Sequence, residues 1–263
     1  MLDIVDIANF GSAVAVGTFF GILLFAQVGR WVGRRIIAGY GAGIPANVGS
    51  LEAAVFALMG LLIAFTFSGA LSRFDLRRVQ AVDESNAIIT AYQRIDLLPT
   101  AAQPKLREAF RGYTDARIAT YSSLPDLQAA RAQLARSQQL QGEIWAQAVA
   151  AARLPDARPN AELLLMPALG QMADISSART AATMIHPPMI IYAMLIGFAF
   201  AAALLAGYQS AGEKGHDWMR RLGFALIIAA TVYVILEIEF PRMGMVRIDA
   251  IDQLLVNTRA SMK

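Results

Sequence analysis

Two kinds of chemistry are open to this chain by residue type: handling charge with isolated acids, and hydrating a passing ion with small or hydroxyl-bearing side chains. Glu237 and Glu239 stand near the end of one apolar run, and Glu52 stands two residues after Ser50 in the first turn of another. An acid inside a bilayer is costly and marks a functional candidate. A carboxylate in a first turn also suits the positive helix N-terminus, so Glu52 reads either as an interfacial cap or as a pore mouth. Residues two apart point to different sides of a helix, so at most one of Glu237 and Glu239 readily faces a shared axis. His186, just before Pro187 and Pro188, reads either as a pH-sensing group or as a solvated interfacial neighbour. Gln27 reads as interfacial.

Small residues form a second pattern. Gly60, Ala64, Ser68 and Ser72 recur every four residues, and Thr66 adds another hydroxyl. Ala13, Gly17 and Gly21 make a similar face, as do Ala193, Gly197 and Ala201. Such faces let helix backbones approach closely in lipid. The sharper alternative is that one of them lines a pore, and the face with Ser68 and Thr66 is the best candidate. Phe65 or Phe67 would then form an apolar constriction.

Other chemistries find little support. The chain has no cysteine, which removes disulfides, thiolate metal sites and cysteine nucleophiles. Its two histidines, His186 and His216, lack metal-ligand spacing, and no cofactor is expected. The stretch Gly207–Lys214 imitates a phosphate loop, but Glu213 stands where the lysine belongs. Gly39–Gly43 lacks the setting of a dinucleotide site. A net charge of +3, with arginines spread out or beside the apolar runs, gives no case for nucleic acid. No enzyme is expected.

The elements that must position these residues are four apolar runs: about Asn9 to Val28, Leu51 to Leu71, Pro188 to Tyr208 and Leu222 to Phe240. Each has the roughly 20 residues that cross a bilayer as a helix. A hydrophobic share of 56% and a mean hydropathy of +0.47 agree. The leader Met1–Asp6 is acidic where a signal peptide is basic, so the first run reads as a retained span. Two short connections carry Arg30, Arg34 and Arg35, and Lys214, Arg220 and Arg221. The positive-inside rule places both in the cytoplasm, and the N-terminus (Asp3, Asp6), the middle domain and the C-terminal tail outside. Arg73, Arg77, Arg78, Arg242 and Arg247 oppose this, but long domains cross largely regardless of charge.

The polar middle reads as helices broken at prolines: Arg73 to Leu98, continuing the second span, then Pro104 to Ser122, Asp126 to Ala152 and Ala161 to Met184. Its interleaved acids and bases suit a solvated face or subunit contacts. The predicted fold is an all-α membrane protein: four transmembrane helices in two pairs, with a helical extramembrane bundle inserted between the second and third. The divisions are a first pair over 1–72, an extramembrane domain over 73–187, a second pair over 188–240 and a tail over 241–263.

The segment Gly60-Leu-Leu-Ile-Ala-Phe-Thr-Phe-Ser-Gly-Ala-Leu-Ser-Arg-Phe-Asp-Leu-Arg-Arg78, with Val82-Asp-Glu-Ser-Asn-Ala-Ile-Ile-Thr-Ala-Tyr92, Asp96–Pro99, Tyr113–Arg117 and Pro241–Gly244, resembles the bacterial bestrophin-like membrane family. The resemblance extends over nearly the whole chain, and more distantly to bestrophins, which are pentameric anion channels with a cytosolic helical domain. It implies a homo-oligomeric ion channel of the bacterial inner membrane, a pentamer by the same token, with the ion open and an anion slightly favoured. Gly60, Ala64, Ser68 and Ser72 are the expected wall, with Glu52 at a mouth. Arg73, Arg77 and Arg78 would favour anions, and Glu237 or Glu239 cations. The alternative is a non-conducting membrane sensor or scaffold that uses its extramembrane helices for interactions.

Overall fold

The computed structural model describes residues 10–40, 47–124, 126–212, 218–241, 246 and 249–263. Asp3, Asp6, Asn9, Lys214, His216, Arg242, Arg247 and parts of Gly39–Gly43, Gly207–Lys214 and Pro241–Gly244 lie outside them. Among the described residues there is no strand. The helices are α1 (Phe10–Tyr40), α2 (Asn47–Gln93), α3 (Gln103–Ser122), α4 (Leu127–Ala152), α5 (Ala161–Ala182), α6 (Met189–Gln209), α7 (Trp218–Glu239) and α8 (Asp249–Ser261). Four segments are long and apolar enough to cross a membrane: Phe10–Gly39, Gly49–Leu97, Met189–Gly212 and Trp218–Glu239.

Local chemistry sets the ends. Asp126 caps α4, its Oδ1 accepting from the Gln128 and Ala129 amides at 2.9 and 3.0 Å. Pro104 stands in the first turn of α3, where its missing N–H is no loss. Asn160, at φ 66°, turns the chain into α5 through the left-handed region that asparagine tolerates. Two helix ends depart from the hydropathy. α1 continues well past Val28 through Arg30, Arg34 and Arg35, which sequence reading placed in a connection. The tail forms α8, which sequence reading left without structure.

The chain divides into two compact units, Val5–Ser72 with His186–Phe240, and Arg73–Ile185 with Pro241–Lys263. In the apolar unit, α6 and α7 both pack on α1. Its buried core is rich in alanine: Ala26, Ala70, Ala199, Ala202, Ala203 and Ala225 join Ile22, Leu195 and Ile235. A Cβ added at Gly29 would run into the Leu204 carbonyl, and one at Gly207 into the Ala26 carbonyl. Only glycine lets α1 and α6 approach so closely, and Gly33 extends the seam, its virtual Cβ 2.8 Å from the Tyr208 carbonyl. The seam therefore uses small residues other than the predicted faces. Ala13, Gly17, Ala193, Gly197 and Ala201 are exposed within the chain; of those faces only Gly21 is closely covered, by Phe200.

The second unit is built like a water-soluble bundle. α3 and α4 pack as a hairpin, with α5 on α4 and α8 on α3. Large side chains fill its core: Ile88, Ile95, Leu106, Phe110, Tyr113, Ile144, Leu165, Leu169 and Met172 are each at most 2% exposed. Leu255 and Met262, from α8 and just beyond it, complete that core.

Candidate functional site

The candidate pore face lies on α2. Gly60, Ala64, Ser68 and Ser72 are all exposed, and nothing lies within 4 Å of a Cβ built on Gly60. The opposite side of the same stretch faces the unit through Met59 and Ala70, both buried. Phe56 meets Phe224 of α7 edge-on, with ring centroids 5.3 Å apart. Thr66 belongs to that inner side. Its hydroxyl donates to the Leu62 and Ile63 carbonyls of its own helix at 2.8 and 3.0 Å, so it adds nothing to the face predicted for it.

Phe65 and Phe67 are 68% and 39% exposed. Helical spacing separates them: Phe67 lies seven residues from Gly60 and three from Ala64, whereas Phe65 lies three from Ser68 and seven from Ser72. They flank the small face on either side. In the other unit, the exposed Arg78 pairs with Asp75 at 3.3 Å.

The charged candidates are arranged differently from the sequence expectation. Glu52 is half-buried, and Arg220 of α7 lies close enough for its charge to act on it. Arg73 is half-buried. Arg77, expected beside a pore exit, is buried, its Nε donating to the Ala182 carbonyl at 3.2 Å and its Nη2 to the Ile185 carbonyl at 3.4 Å. It caps the C-terminal end of α5, where a cation meets the negative end of the helix dipole.

Glu237 and Glu239 also point into the protein. Glu239 is fully buried, with its Oε1 3.1 Å from His186 Nδ1. The His186 ring stacks on Phe240 at 4.5 Å. Glu237 is 8% exposed, and its Oε1 lies 3.7 Å from a Cβ built on Gly11 of α1. Two acids on one helix thus both find inward environments, because neighbours cover more than one side of α7.

Sequence reasoning missed a buried network of charged side chains. In the polar unit, Glu84 of α2 accepts from Arg117 Nε of α3 at 2.5 Å and from Arg179 Nη1 of α5 at 2.5 Å. Arg179 reaches on to Asp252 of α8, also at 2.5 Å. Arg117 donates to the Tyr121 hydroxyl, and Arg179 lies 3.8 Å over the Tyr121 ring. Glu84 and Arg117 are each 0% exposed.

Two carboxylates balance two guanidiniums, which is the condition under which buried charge is tolerated. Burial alone would lower the Arg117 guanidinium, but Glu84, Tyr121 and Tyr113 outweigh it and hold it above the usual arginine value. Arg179 is likewise held up against burial by Tyr121, Glu84 and Asp252. Burial pushes the Tyr113 hydroxyl up to about 12; Arg117 opposes the shift and Glu84 adds to it. The interleaved charges of this region were read as a solvated face or subunit contacts. One signal was available: Tyr113, Arg117 and Tyr121 recur every four residues on a single helix face.

The network does not resemble a metal centre, and among the described residues no group of three or more His, Asp or Glu is placed to hold a metal ion.

A family model described as a bestrophin-like domain matches residues 20–250. No curated protein matches significantly by sequence. Among solved structures, a point variant of a bacterial bestrophin homologue from Klebsiella pneumoniae is similar at a TM-score of 0.64 with 13% identity, over 92% of this chain and 98% of that one. A second variant of that homologue is similar at 0.66 and 14%, over 94% and 98%. A further structure, described as a membrane protein, is similar at 0.67 and 13%, over 93% and 99%. At such identities the likeness speaks for the fold.

Proposed function

Starting from the fact that this chain belongs to the bestrophin-like family, we propose that it is a homo-oligomeric ion channel of the bacterial inner membrane, its pore lined by the spanning part of α2. The observation that carries this reading is the exposed small face Gly60, Ala64, Ser68 and Ser72, opposite a side of α2 that the chain itself covers. Copies arranged about an axis turn one such face into a continuous wall, and one side chain into a ring. The family's channels suggest five copies. Gly60, Ala64 and Ser68 form the wall, and Phe67, beside Gly60 and Ala64, supplies the apolar constriction. Ser72 and Phe65 lie at its flank. Glu52 stands at one mouth and Arg73 towards the other, with an anion preferred. Arg77, Glu237 and Glu239 are turned inward and act on the pore only by shaping the helices around it.

In this reading two spanning pairs, 1–72 and 188–240, flank a helical extramembrane domain, 73–187, followed by the tail, 241–263. The helix ends with Arg30–Arg35 on α1 and Arg220–Arg221 on α7 face the cytoplasm, so the N-terminus and the extramembrane domain lie outside it. No step of the proposal needs bond-making chemistry.

Purified protein in planar bilayers is the test. Single-channel currents that fall at least several-fold in Ser68→Leu and rise or lose selectivity in Phe67→Ala support the pore. Currents unchanged by both substitutions assign them to another path. Silence of the wild type at every voltage and salt tried favours the sensor or scaffold. Ala135→Cys, exposed on α4 in a chain without other thiols, reports the side of the membrane through an impermeant thiol reagent.

A further inference from the structure

One end of the apolar unit collects basic and aromatic side chains. Gly33 of α1 meets Tyr208 of α6 there, Gly49 of α2 lies beside Gln209, and Phe56 of α2 meets Phe224 of α7 edge-on. On α1, Trp31 is 53% exposed, and the Arg35 guanidinium lies 4.0 Å over its ring. Arg34 and Arg35 are both exposed, and among the described residues neither is paired with a carboxylate. On α7, Trp218 and Met219 are exposed next to Arg220.

We propose that this end is a docking surface for anionic phospholipid headgroups, centred on Arg34, Arg35 and Trp31. The inference rests on the chain spanning a bilayer and is independent of conduction. Tryptophan settles at headgroup depth because its body is apolar and its N–H is wet. Stacking over Trp31 engages the face of the Arg35 guanidinium and leaves its in-plane N–H donors for phosphate oxygens. Arg34, three residues after Trp31, adds a second cation on the adjoining side of the helix.

The test is native mass spectrometry of detergent-purified protein titrated with phosphatidylglycerol or phosphatidylcholine. Wild type binds the anionic lipid preferentially. R34Q/R35Q loses about 25-fold in that affinity, about fivefold for each arginine near a charged surface, while phosphatidylcholine binding stays unchanged. Trp31→Ala, which keeps both charges, weakens it about threefold. The exposed pair Arg131 and Arg136 in the polar unit serves as control, and R131Q/R136Q leaves binding unchanged. Equal phosphatidylglycerol affinity in R34Q/R35Q and wild type overturns the proposal. So does displacement of the lipid by inorganic phosphate at equal concentration, which would assign the site to a free anion.

Discussion

The apolar and polar units solve the problem of holding helices together with opposite materials. In the first, glycines at 29, 33 and 207 and a run of buried alanines bring backbones into contact. In the second, Phe110, Tyr113, Leu106 and Leu169 fill a thick core, and Glu84 joins two guanidiniums within it. The medium explains the contrast. Lipid tails are as apolar as leucine, so burying a large side chain against another helix gains little there and close packing is what remains. Water rewards removal of apolar area, at about 25 cal/mol per Å², so large residues drive assembly of the polar unit. That surplus is also what can offset the desolvation of Glu84, Arg117 and Arg179.

The sharpest way to break the contrast is Glu84→Ala. It leaves two buried guanidiniums short of a partner, and we expect a loss of about 4 kcal/mol in unfolding of the polar unit. Chemical denaturation of purified protein, followed by protease susceptibility of the 73–185 region, measures it. A loss below 1 kcal/mol would show that the network is more hydrated than its burial indicates.

Next come two leucines, each 1–2% exposed but in different units. Leu169→Ala in the polar core should cost about 3 kcal/mol. Leu195→Ala in the apolar unit should cost roughly half as much when unfolding is measured within lipid, because only packing is lost there. Equal costs would erase the distinction between the units.

A smaller effect concerns pH. Tyr113, with its folded value near 12, keeps its proton after the unfolded chain begins to lose it near 10. The neutral ring therefore contributes stability that is intact below pH 10 and is lost as pH rises towards 12. Tyr113→Phe should flatten that alkaline decline by about 2 kcal/mol across the window, read from denaturation midpoints at successive pH values. Smallest of all is Arg78→Ala, which removes the exposed Asp75–Arg78 pair and should change stability by less than about 1 kcal/mol.

The four long apolar helices were legible because a bilayer demands a long unbroken apolar run, and few other contexts do. The helix ends were less so. α1 passes Val28 without a break because arginine is a good helix former, and the end of an apolar run need not be the end of a helix. The small faces were visible as patterns, but several coexist on each span. Gly29 and Gly33 share the four-residue spacing of Gly17 and Gly21, and only the partner helix decides which pair is used. Glu84 and Arg179 stand 95 residues apart among ordinary surface-like charges, so nothing local announces that they meet. On α2 the four-residue spacing of Gly60, Ala64, Ser68 and Ser72 marked one exposed face, whereas Thr66 was assigned by its hydroxyl and not by its angle around the helix.

Ser85 of α2 and Thr258 of α8 share a hydrogen bond of 2.6 Å across 173 residues of sequence. During synthesis α6 and α7 leave the ribosome between these two partners. The polar bundle is therefore finished late, when the last helix arrives after two long apolar helices have been made. Until then Arg179 lacks Asp252, and the buried group of Glu84, Arg117 and Arg179 carries one excess positive charge that the final helix neutralises.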